Sequence, residues 1–301
     1  MNSRNWRTIL LPGPRMPQEN NHRTCVIDVG GGLRDIYGAG VFDTLMEEGI
    51  AFDFGIGISA GAANLCSFLA RQRGRNLVYY RDYSQRREYM SLRNVLQKKG
   101  FLDLDYIYST LSNTDGEYPL DYSVICRNPM DLITVTTNAL TGCPAYWHKS
   151  RYSQDDYELI KCSCTLPFAC HPHRMQGMEQ FDGGISDPVP LEKALAMGAG
   201  KIVLILTHPV DFRRTDDHDR RYARVLSARY PKVAEALKHR AERYNLALDR
   251  ALELEQQGKL LILAPESDCG LKTLTRDVRK LQAMYENGLR DGRKVREFLA
   301  R

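Results

Sequence analysis

The sequence predicts an α/β fold in which a mostly parallel sheet lies between two layers of helices, a three-layer α/β/α sandwich. Short apolar runs rich in β-branched residues alternate with segments of helical periodicity. Two of these runs lead directly into glycine-containing turns. The 301-residue chain is long enough for two domains or for one large α/β unit with an extension. Strand–helix alternation of this kind implies parallel strands covered by helices on both faces.

The first four elements form a βαβα unit. Thr24–Val29 predicts a buried strand, and Tyr37–Glu48 predicts a helix that stops at Gly49. Phe52–Ile58 predicts a second strand, and the small residues of Ala60–Ala70 predict a helix that starts at once. Because both strands precede helices, we expect them to lie side by side in one sheet.

The rest of the chain predicts fewer strands and more helix. Residues 71–128 are mixed and mostly helical, and Asp187 is expected to cap a helix that begins at Pro188 and ends at Gly198. Further strands are expected at Leu132–Thr137, Tyr146–His148, around Phe181, at Ile202–Thr207 and at Leu260–Leu263, and late helices at Asp219–Gln257 (interrupted at Tyr230–Pro231), Thr275–Glu286 and Gly288–Leu299.

This pattern predicts three regions. Residues 1–23 are expected to be a flexible lead-in, residues 24–208 the main α/β domain, and residues 209–301 a mainly helical C-terminal extension. The strand at Leu260 could return to the main sheet, which would pack the extension on the same domain.

Composition excludes several classes of protein. Hydrophobic residues make up 43% and charged residues 26% of the chain, which is ordinary globular usage. No apolar stretch approaches the ~20 residues of a membrane span, and the N-terminus lacks the apolar region of a secretory signal. Eight cysteines without such a signal predict reduced thiols and a cytoplasmic protein. A net charge of +5 is too small to indicate nucleic-acid binding, and none is expected.

A serine lies on a predicted strand-to-helix turn. Gly57-Ile58-Ser59-Ala60-Gly61 matches the G-x-S-x-G pattern, in which the glycines two residues before and two residues after the serine avoid collisions at a sharp turn. The turn would expose the Ser59 hydroxyl, and the following helix would direct its positive end at developing negative charge. The alternative is a simple small-residue turn in a parallel sheet.

A glycine loop follows the first strand. Gly30-Gly31-Gly32-Leu33-Arg34 does not fit a dinucleotide fingerprint, because Asp35 occupies the third glycine position, and no Gly-Lys-Ser/Thr follows to make a phosphate-binding loop. The remaining functional interpretation is an oxyanion hole of free backbone N–H groups beside Ser59, and the structural alternative is a tight turn. Arg34 could hold the loop by an ion pair or meet an anionic substrate.

The segment Asp182-Gly183-Gly184 supplies a candidate base. Asp182 precedes two glycines, so little bulk would cover its carboxylate, and no helix is expected there for it to cap. The alternative is a turn aspartate held by local backbone hydrogen bonds.

These three motifs, in this order, resemble the patatin-like phospholipases, and most of all their bacterial members with a C-terminal extension. The resemblance covers about residues 24–207 well and the extension more weakly; it departs at Asp35, where the family usually has glycine. It implies a Ser59–Asp182 dyad in place of a triad, an oxyanion hole at Gly31 and Gly32 with neighbouring amides, and hydrolysis of lipid acyl esters through an acyl-enzyme without metal or cofactor. A dry site would make a carboxylate workable as the base.

Several alternatives stay open on the sequence. Ser59, Asp182 and His208 occur in the order of a Ser-Asp-His triad, which would suit a small-ester hydrolase. A catalytically silent lipid- or protein-binding relative would keep the fold without turnover. The cluster Cys162, Cys164, Cys170, His171 and His173 could suggest zinc, although its spacing fits no common zinc pattern, and Cys66 is expected in the core.

A basic segment could touch a membrane. Residues 71–99 hold nine basic and two acidic side chains, interleaved with tyrosines at 79, 80, 83 and 89 and with Leu92. Such a segment is either a solvated helix surface or a contact with anionic lipid. Taken together, the sequence predicts a serine acyl hydrolase acting on phospholipid or lysophospholipid esters, with transient membrane contact; the oligomeric state is not determined by the sequence.

Overall fold

An eight-stranded sheet organises the chain in the computed structural model, which describes residues 23–97 and 100–301. The expected lead-in lies outside the described residues except for Arg23, which begins the first strand. The strands are β1 Arg23–Asp28, β2 Phe54–Ile58, β3 Asp131–Asn138, β4 Pro144–His148, β5 His173–Met175, β6 Met178–Asp182, β7 Ala199–Ile205 and β8 Leu260–Leu263.

Twelve α-helices accompany these strands in the described ranges. They are α1 Ile36–Glu47, α2 Ala60–Leu69, α3 Arg75–Arg81, α4 Leu92–Leu96, α5 Tyr122–Arg127, α6 Glu158–Cys164, α7 Leu191–Ala196, α8 Asp217–Leu226, α9 Pro231–Lys238, α10 Arg240–Gln256, α11 Val278–Gly292 and α12 Lys294–Ala300. None of the helices in these ranges is long and apolar enough to cross a membrane.

Neighbouring strands in the series β5-β6-β3-β2-β1-β7-β8 are hydrogen-bonded to each other, and β4 also pairs with β3. β1 is parallel to β2 and β7, β2 is parallel to β3, and β7 is parallel to β8; β4, β5 and β6 are antiparallel. The strand at Leu260–Leu263 therefore belongs to the main sheet. This mixed but mostly parallel arrangement confirms the predicted fold class.

Helices cover both faces of the sheet. Val26 of β1 packs in a core shared with α1, α2 and α11, whereas its neighbours Cys25 and Ile27 pack in a second core shared with α7 and α10. Side chains alternate between the faces of a strand, so this division places the sheet as the middle of three layers. The C-terminal helices thus contribute to both outer layers.

Two predicted helix boundaries are wrong. The helix expected to begin at Pro188 begins at Leu191, and Asp187 does not cap it; instead Asp187 accepts a hydrogen bond from the Tyr146 hydroxyl at 2.6 Å. The break expected near Gly288 is absent from α11, which continues through it. The glycine there serves close packing in place of helix termination.

The crossing of α1 and α11 brings two backbones into direct contact. A Cβ on Gly40 would lie 2.2 Å from the Tyr285 carbonyl oxygen, and a Cβ on Gly288 would lie 2.1 Å from the Tyr37 carbonyl oxygen. The tyrosine hydroxyls then donate across the crossing in both directions, Tyr285 to Asp43 at 2.7 Å and Tyr37 to Asp291 at 2.9 Å. The last long helix is therefore fixed to the first one.

Candidate active site

Ser59 lies on a strained turn between β2 and α2. Its backbone has φ 55° and ψ −127°, a conformation that residues other than glycine rarely adopt. The Ser163 hydroxyl accepts a hydrogen bond from the Ser59 amide at 2.8 Å and donates to the Val135 carbonyl at 2.7 Å. A Cβ on Gly57 would lie 2.6 Å from the Ala62 Cα, and one on Gly61 would lie 2.4 Å from the Asp28 carbonyl oxygen. Both motif glycines therefore allow close packing, as expected of this turn.

The glycine loop abuts this turn. Gly30, Gly31 and Gly32 all have positive φ, and a Cβ on Gly30 would lie 2.3 Å from the Ile58 carbonyl oxygen. Two loop amides are already engaged: Gly30 donates to Asp28 at 3.1 Å, and Leu33 donates to the Thr273 carbonyl at 2.8 Å. Two of the residues predicted for an oxyanion hole, Gly30 and Leu33, therefore have amides that already donate to other groups.

Two buried carboxyl groups lie under the loop. Asp28 accepts hydrogen bonds from the Gly30 amide and the Asn64 side chain, both at 3.1 Å. Burial raises the pKa of Asp28 to about 6, and burial together with the negative charge of Asp28 raises the pKa of Asp35 well above its usual value. A Cβ on Gly38 would meet an oxygen of each carboxyl group, so glycine at this position leaves room for the pair. The departure at Asp35 thus creates an acid pair that favours holding a proton.

Asp35→Asn is expected to stabilise the protein at pH 8 by about 1–3 kcal/mol, because it removes a buried ionisable group next to another one. Both folded-state pKa values are raised, so the wild type is favoured at pH 4 and loses stability as the pH rises through about 6 and above. The gain from the substitution should therefore shrink towards pH 5. Urea unfolding at pH 8 and at pH 5 measures the change in the free energy of unfolding, with the exposed Asp115→Asn as control. A loss of stability of equal size at both pH values would contradict the prediction.

The pairing of β3 places Asp182 beside Ser59. β4 occupies one edge of β3, so β2 and β6 share the other edge. β2 ends with Ile58 opposite Val135, and the next position of β3, Thr136, lies opposite Asp182. Asp182, the last residue of β6, therefore lies next to the end of β2, where the turn at Ser59 begins. The close approach of a Gly183 Cβ to the Val135 carbonyl, 2.4 Å, explains the first of the two following glycines.

The surroundings of Asp182 act on its charge in opposite directions. Burial raises its pKa above the usual value, while the positive charge of Arg240, a hydrogen bond with the Ser59 hydroxyl and the Gly184 amide lower it. The Asp182 carboxylate accepts a hydrogen bond from the Gly184 amide at 2.8 Å and so caps a short helical turn at Gly183–Ile185. The expectation that Asp182 has no helix to cap is therefore wrong. Asp182 thus has the local backbone bond of a turn aspartate and also lines the same cleft as Ser59.

His208 lines the same cleft but faces other groups. Its ring stacks on Phe212 with a centroid distance of 4.0 Å, and the carboxylate near its Nδ1 is that of Asp268, at 3.9 Å. Burial and the positive charge of Arg34 lower its pKa to about 4. In a Ser-Asp-His triad, Asp182 would have to orient the histidine ring, but the ring of His208 contacts Phe212 and Asp268 instead.

Two cavities meet at Ser59. A narrow one of about 60 Å³ runs among apolar and aromatic side chains that include Tyr80, Leu102, Ile107 and Tyr108. A wider cleft of about 350 Å³ is lined by the glycine loop, Ser59 and Asp182 together with the polar side chains of Arg34, Thr207, His208, Arg214, His218, Asp219 and Arg240. The serine therefore lies between a mostly apolar cavity, which Arg75 and Asn76 also line, and a cleft with many charged side chains.

The cysteine–histidine cluster has ordinary structural contacts. Cys162 and Cys164 lie on α6, and all eight cysteines are free thiols; Cys66 is buried in the core. His173 pairs with Glu158 at 2.8 Å, and the ammonium of Lys161 lies between Glu158 and Asp105 at 3.3 and 2.5 Å. The Lys161 cation thus already neutralises the one group of candidate metal-binding side chains found in the described residues.

Sequence reasoning missed the residues that the C-terminal part brings to the cleft. Arg214 follows β7 and Arg240 begins α10, far along the chain from Ser59, and no motif marks them. Thr207 and Thr273 hold the glycine loop: the Thr207 hydroxyl donates to the Gly30 carbonyl at 2.8 Å, and Thr273 accepts from Leu33. Their placement follows from tertiary packing, which a single sequence does not reveal.

A serine on a strand-to-helix turn in a three-layer α/β/α fold, next to a glycine loop and an aspartate, defines a class of hydrolase-like proteins. A family model described as patatin-like phospholipase matches residues 29–195, more than half of the chain. The chain belongs to the patatin-like phospholipase family, a family of lipolytic hydrolases. A second model, a domain of unknown function named DUF6363, matches residues 230–300.

Two further similarities concern individual proteins. The chain is 28% identical over 209 residues to the uncharacterized protein YjjU of Escherichia coli strain K12, which covers 68% of this chain and 57% of YjjU. The chain thus spans a little over half of that relative. The solved structure of VipD from Legionella pneumophila matches with a TM-score of 0.47 and 14% identity, over 93% of this chain and 67% of VipD.

Proposed function

We propose that the protein is a serine acyl hydrolase that cleaves lipid esters with a Ser59–Asp182 dyad. The observation that carries this proposal is that Ser59 and Asp182 line one open cleft, at the point where it meets an apolar cavity. An acyl chain suits the apolar cavity, and the leaving alcohol suits the cleft. Family membership supports a lipid ester as the substrate.

The proposed reaction has two halves. Asp182 takes the proton of Ser59, the serine oxygen attacks the ester carbonyl carbon, and Gly31 and Gly32 N–H groups stabilise the oxyanion. The carbon–oxygen bond to the alcohol then breaks, and Asp182 returns the proton to the leaving alcohol. In the second half Asp182 takes a proton from water, and the hydroxide attacks the carbonyl carbon of the acyl-enzyme. The bond between this carbon and the Ser59 oxygen then breaks, Asp182 returns the proton to Ser59, and the fatty acid is released.

Covalent labelling tests this proposal against that of a catalytically silent binding protein. Wild type is expected to label with a fluorophosphonate and to hydrolyse p-nitrophenyl esters, and Ser59→Ala is expected to lose both. Ser123→Ala, an exposed serine outside the cleft, is the matched control. His208→Ala should retain most turnover, because its ring is oriented by Phe212 and Asp268. Absence of labelling in folded wild type would favour the silent relative.

We also propose transient contact with an anionic membrane surface, through a smaller patch than the sequence predicted. Tyr79, Tyr80 and Tyr83 are buried, and Lys98 and Lys99 lie outside the described residues. The exposed apolar side chains belong to α4, where Leu92 is 76% and Leu96 84% exposed. Apolar side chains next to exposed arginines suit an interface with anionic lipid.

Liposome flotation tests this contact. The double variant Leu92→Ser/Leu96→Ser is expected to lower the fraction of protein bound to anionic vesicles at least about threefold, because it removes the two most exposed apolar groups of the patch. Leu140→Ser, equally exposed but remote in sequence, is the control. Binding that depends on neither anionic lipid nor salt would contradict the proposal.

A further inference from the structure

The cleft side of Ser59 contains two guanidinium groups from the C-terminal part of the chain. Arg214 and Arg240 line the cleft together with Ser59 and Asp182. Both lie outside residues 29–195, the part that matches the patatin-like phospholipase model. The C-terminal part therefore adds charge to a site whose serine and aspartate come from elsewhere in the chain.

The two arginines share one carboxylate. Arg214 Nε lies 3.2 Å from Asp219 Oδ2, and Arg240 Nη1 lies 3.7 Å from Asp219 Oδ1. Arg240 is also attracted by Asp182, but that carboxylate loses its charge whenever it holds the proton of Ser59. At that stage of the proposed reaction, Asp219 is the one charged carboxylate among the described residues that line the cleft.

Hydrogen-bond donors in this region lack acceptors. The Nε of Arg240 and the Nε of Arg34 are buried in the described structure without a hydrogen-bond partner. Burial and the positive charge of Arg214 lower the pKa of Arg240 to about 10, and Arg34 lines the same cleft. Buried donors are rarely left unpaired, and guanidiniums bind anions with several oxygens especially well.

We infer that Arg214 and Arg240 bind the phosphate group of an acyl ester and so select phosphate-bearing lipid esters over neutral ones. This inference rests on the proposed function, because it places the acyl chain in the apolar cavity and the phosphate-bearing alcohol in the cleft. Both residues then determine specificity through the phosphate, in addition to the effect of their positive charges on the pKa of Asp182. The phosphate is attached to the leaving alcohol, which is the part of the substrate that faces the cleft.

A pair of substrates that differ only in the phosphate tests the selection. Wild type is expected to show a kcat/KM for a monoacylglycerol phosphate at least about tenfold above that for the same monoacylglycerol. Arg214→Gln should lower the first value about tenfold, mainly through KM, and leave the second within about twofold. Arg213→Gln, whose side chain pairs with Asp249 on the surface, should change neither. An equal loss on both substrates, or a wild-type preference for the neutral ester, would overturn the inference.

A binding measurement keeps the inference separate from catalysis. Calorimetry with a short-chain monoalkylglycerol phosphate, an ether that cannot be hydrolysed, should detect binding to wild type, about tenfold weaker binding to Arg214→Gln, and weaker binding of the unphosphorylated ether. Free glycerol phosphate should compete only weakly if the lipid is the ligand, and as well as the ether if the phosphate alone is recognised. If wild type neither labels nor turns over but still binds the phosphorylated ether more tightly, the hydrolase proposal is rejected and the inference on the arginines stands. Equal binding of the two ethers would reject the inference alone.

Discussion

Asp182→Asn is expected to lower kcat about 10³-fold while the protein remains folded. The amide oxygen can still accept the Gly184 N–H, now 2.8 Å from the carboxylate, but a neutral amide cannot take the proton of Ser59. Ser59 would then keep its proton, and attack on the ester would slow. Hydrolysis of a p-nitrophenyl ester measures the effect.

The same carboxylate predicts the pH dependence of the wild type. The base must be ionised, and burial raises its pKa above 3.8, so kcat/KM should fall as the pH decreases through a value above 3.8. Asp187→Asn is the matched control, because this nearby carboxylate bonds Tyr146 and not the serine. An Asp182→Asn enzyme within tenfold of wild type, with an unchanged acid limb, would remove Asp182 from the proposed dyad.

Gly288→Val is expected to lower the free energy of unfolding by about 3 kcal/mol or more. A Cβ at this position would lie 2.1 Å from the Tyr37 carbonyl oxygen, and a backbone atom within helix α1 cannot move aside as a flexible side chain could. Separating α1 from α11 would also weaken the hydrogen bonds of Tyr285 with Asp43 and of Tyr37 with Asp291.

Urea unfolding measures this loss, and Ala283→Val serves as control on an exposed position of the same helix. The control carries the lower helix propensity of valine without the clash. A Gly288→Val protein as stable as the control would show that the helices can separate at little cost.

The local part of the site was predictable from the sequence. The strand before Ser59, the helix after it and the glycine loop all follow from short motifs whose backbone demands are strong, such as the positive φ of Gly30. The uses of Asp187 and Gly288 were not predictable. An aspartate can cap a helix or accept a tertiary hydrogen bond, as Asp187 does. A glycine can end a helix or allow two helices to cross closely, as Gly288 does. Only the partner, which lies far away in sequence, decides between them.

The position of Arg240 illustrates the same limit over a longer range. Its charge acts on Asp182 only because α10 packs on the face of the sheet that β7 and β8 help to form. A charged helix starting at Arg240 is, on sequence alone, a solvated helix. The contribution of the C-terminal part to the cleft can therefore be recognised only when the topology of the sheet is known.

The crossing of α1 with α11 also has a consequence for how the chain folds. Residues near Gly40 meet residues near Gly288, so one of the tightest contacts closes a loop of most of the chain. Such non-local contacts make folding slow, because the entropy of loop closure is lost before the contact is gained. During synthesis, Ser59 and Asp182 would both be present before α11, the partner of α1, and before β8, which pairs with β7. Apolar surface and an open strand edge would stay exposed throughout that interval, which is when self-association is most favoured.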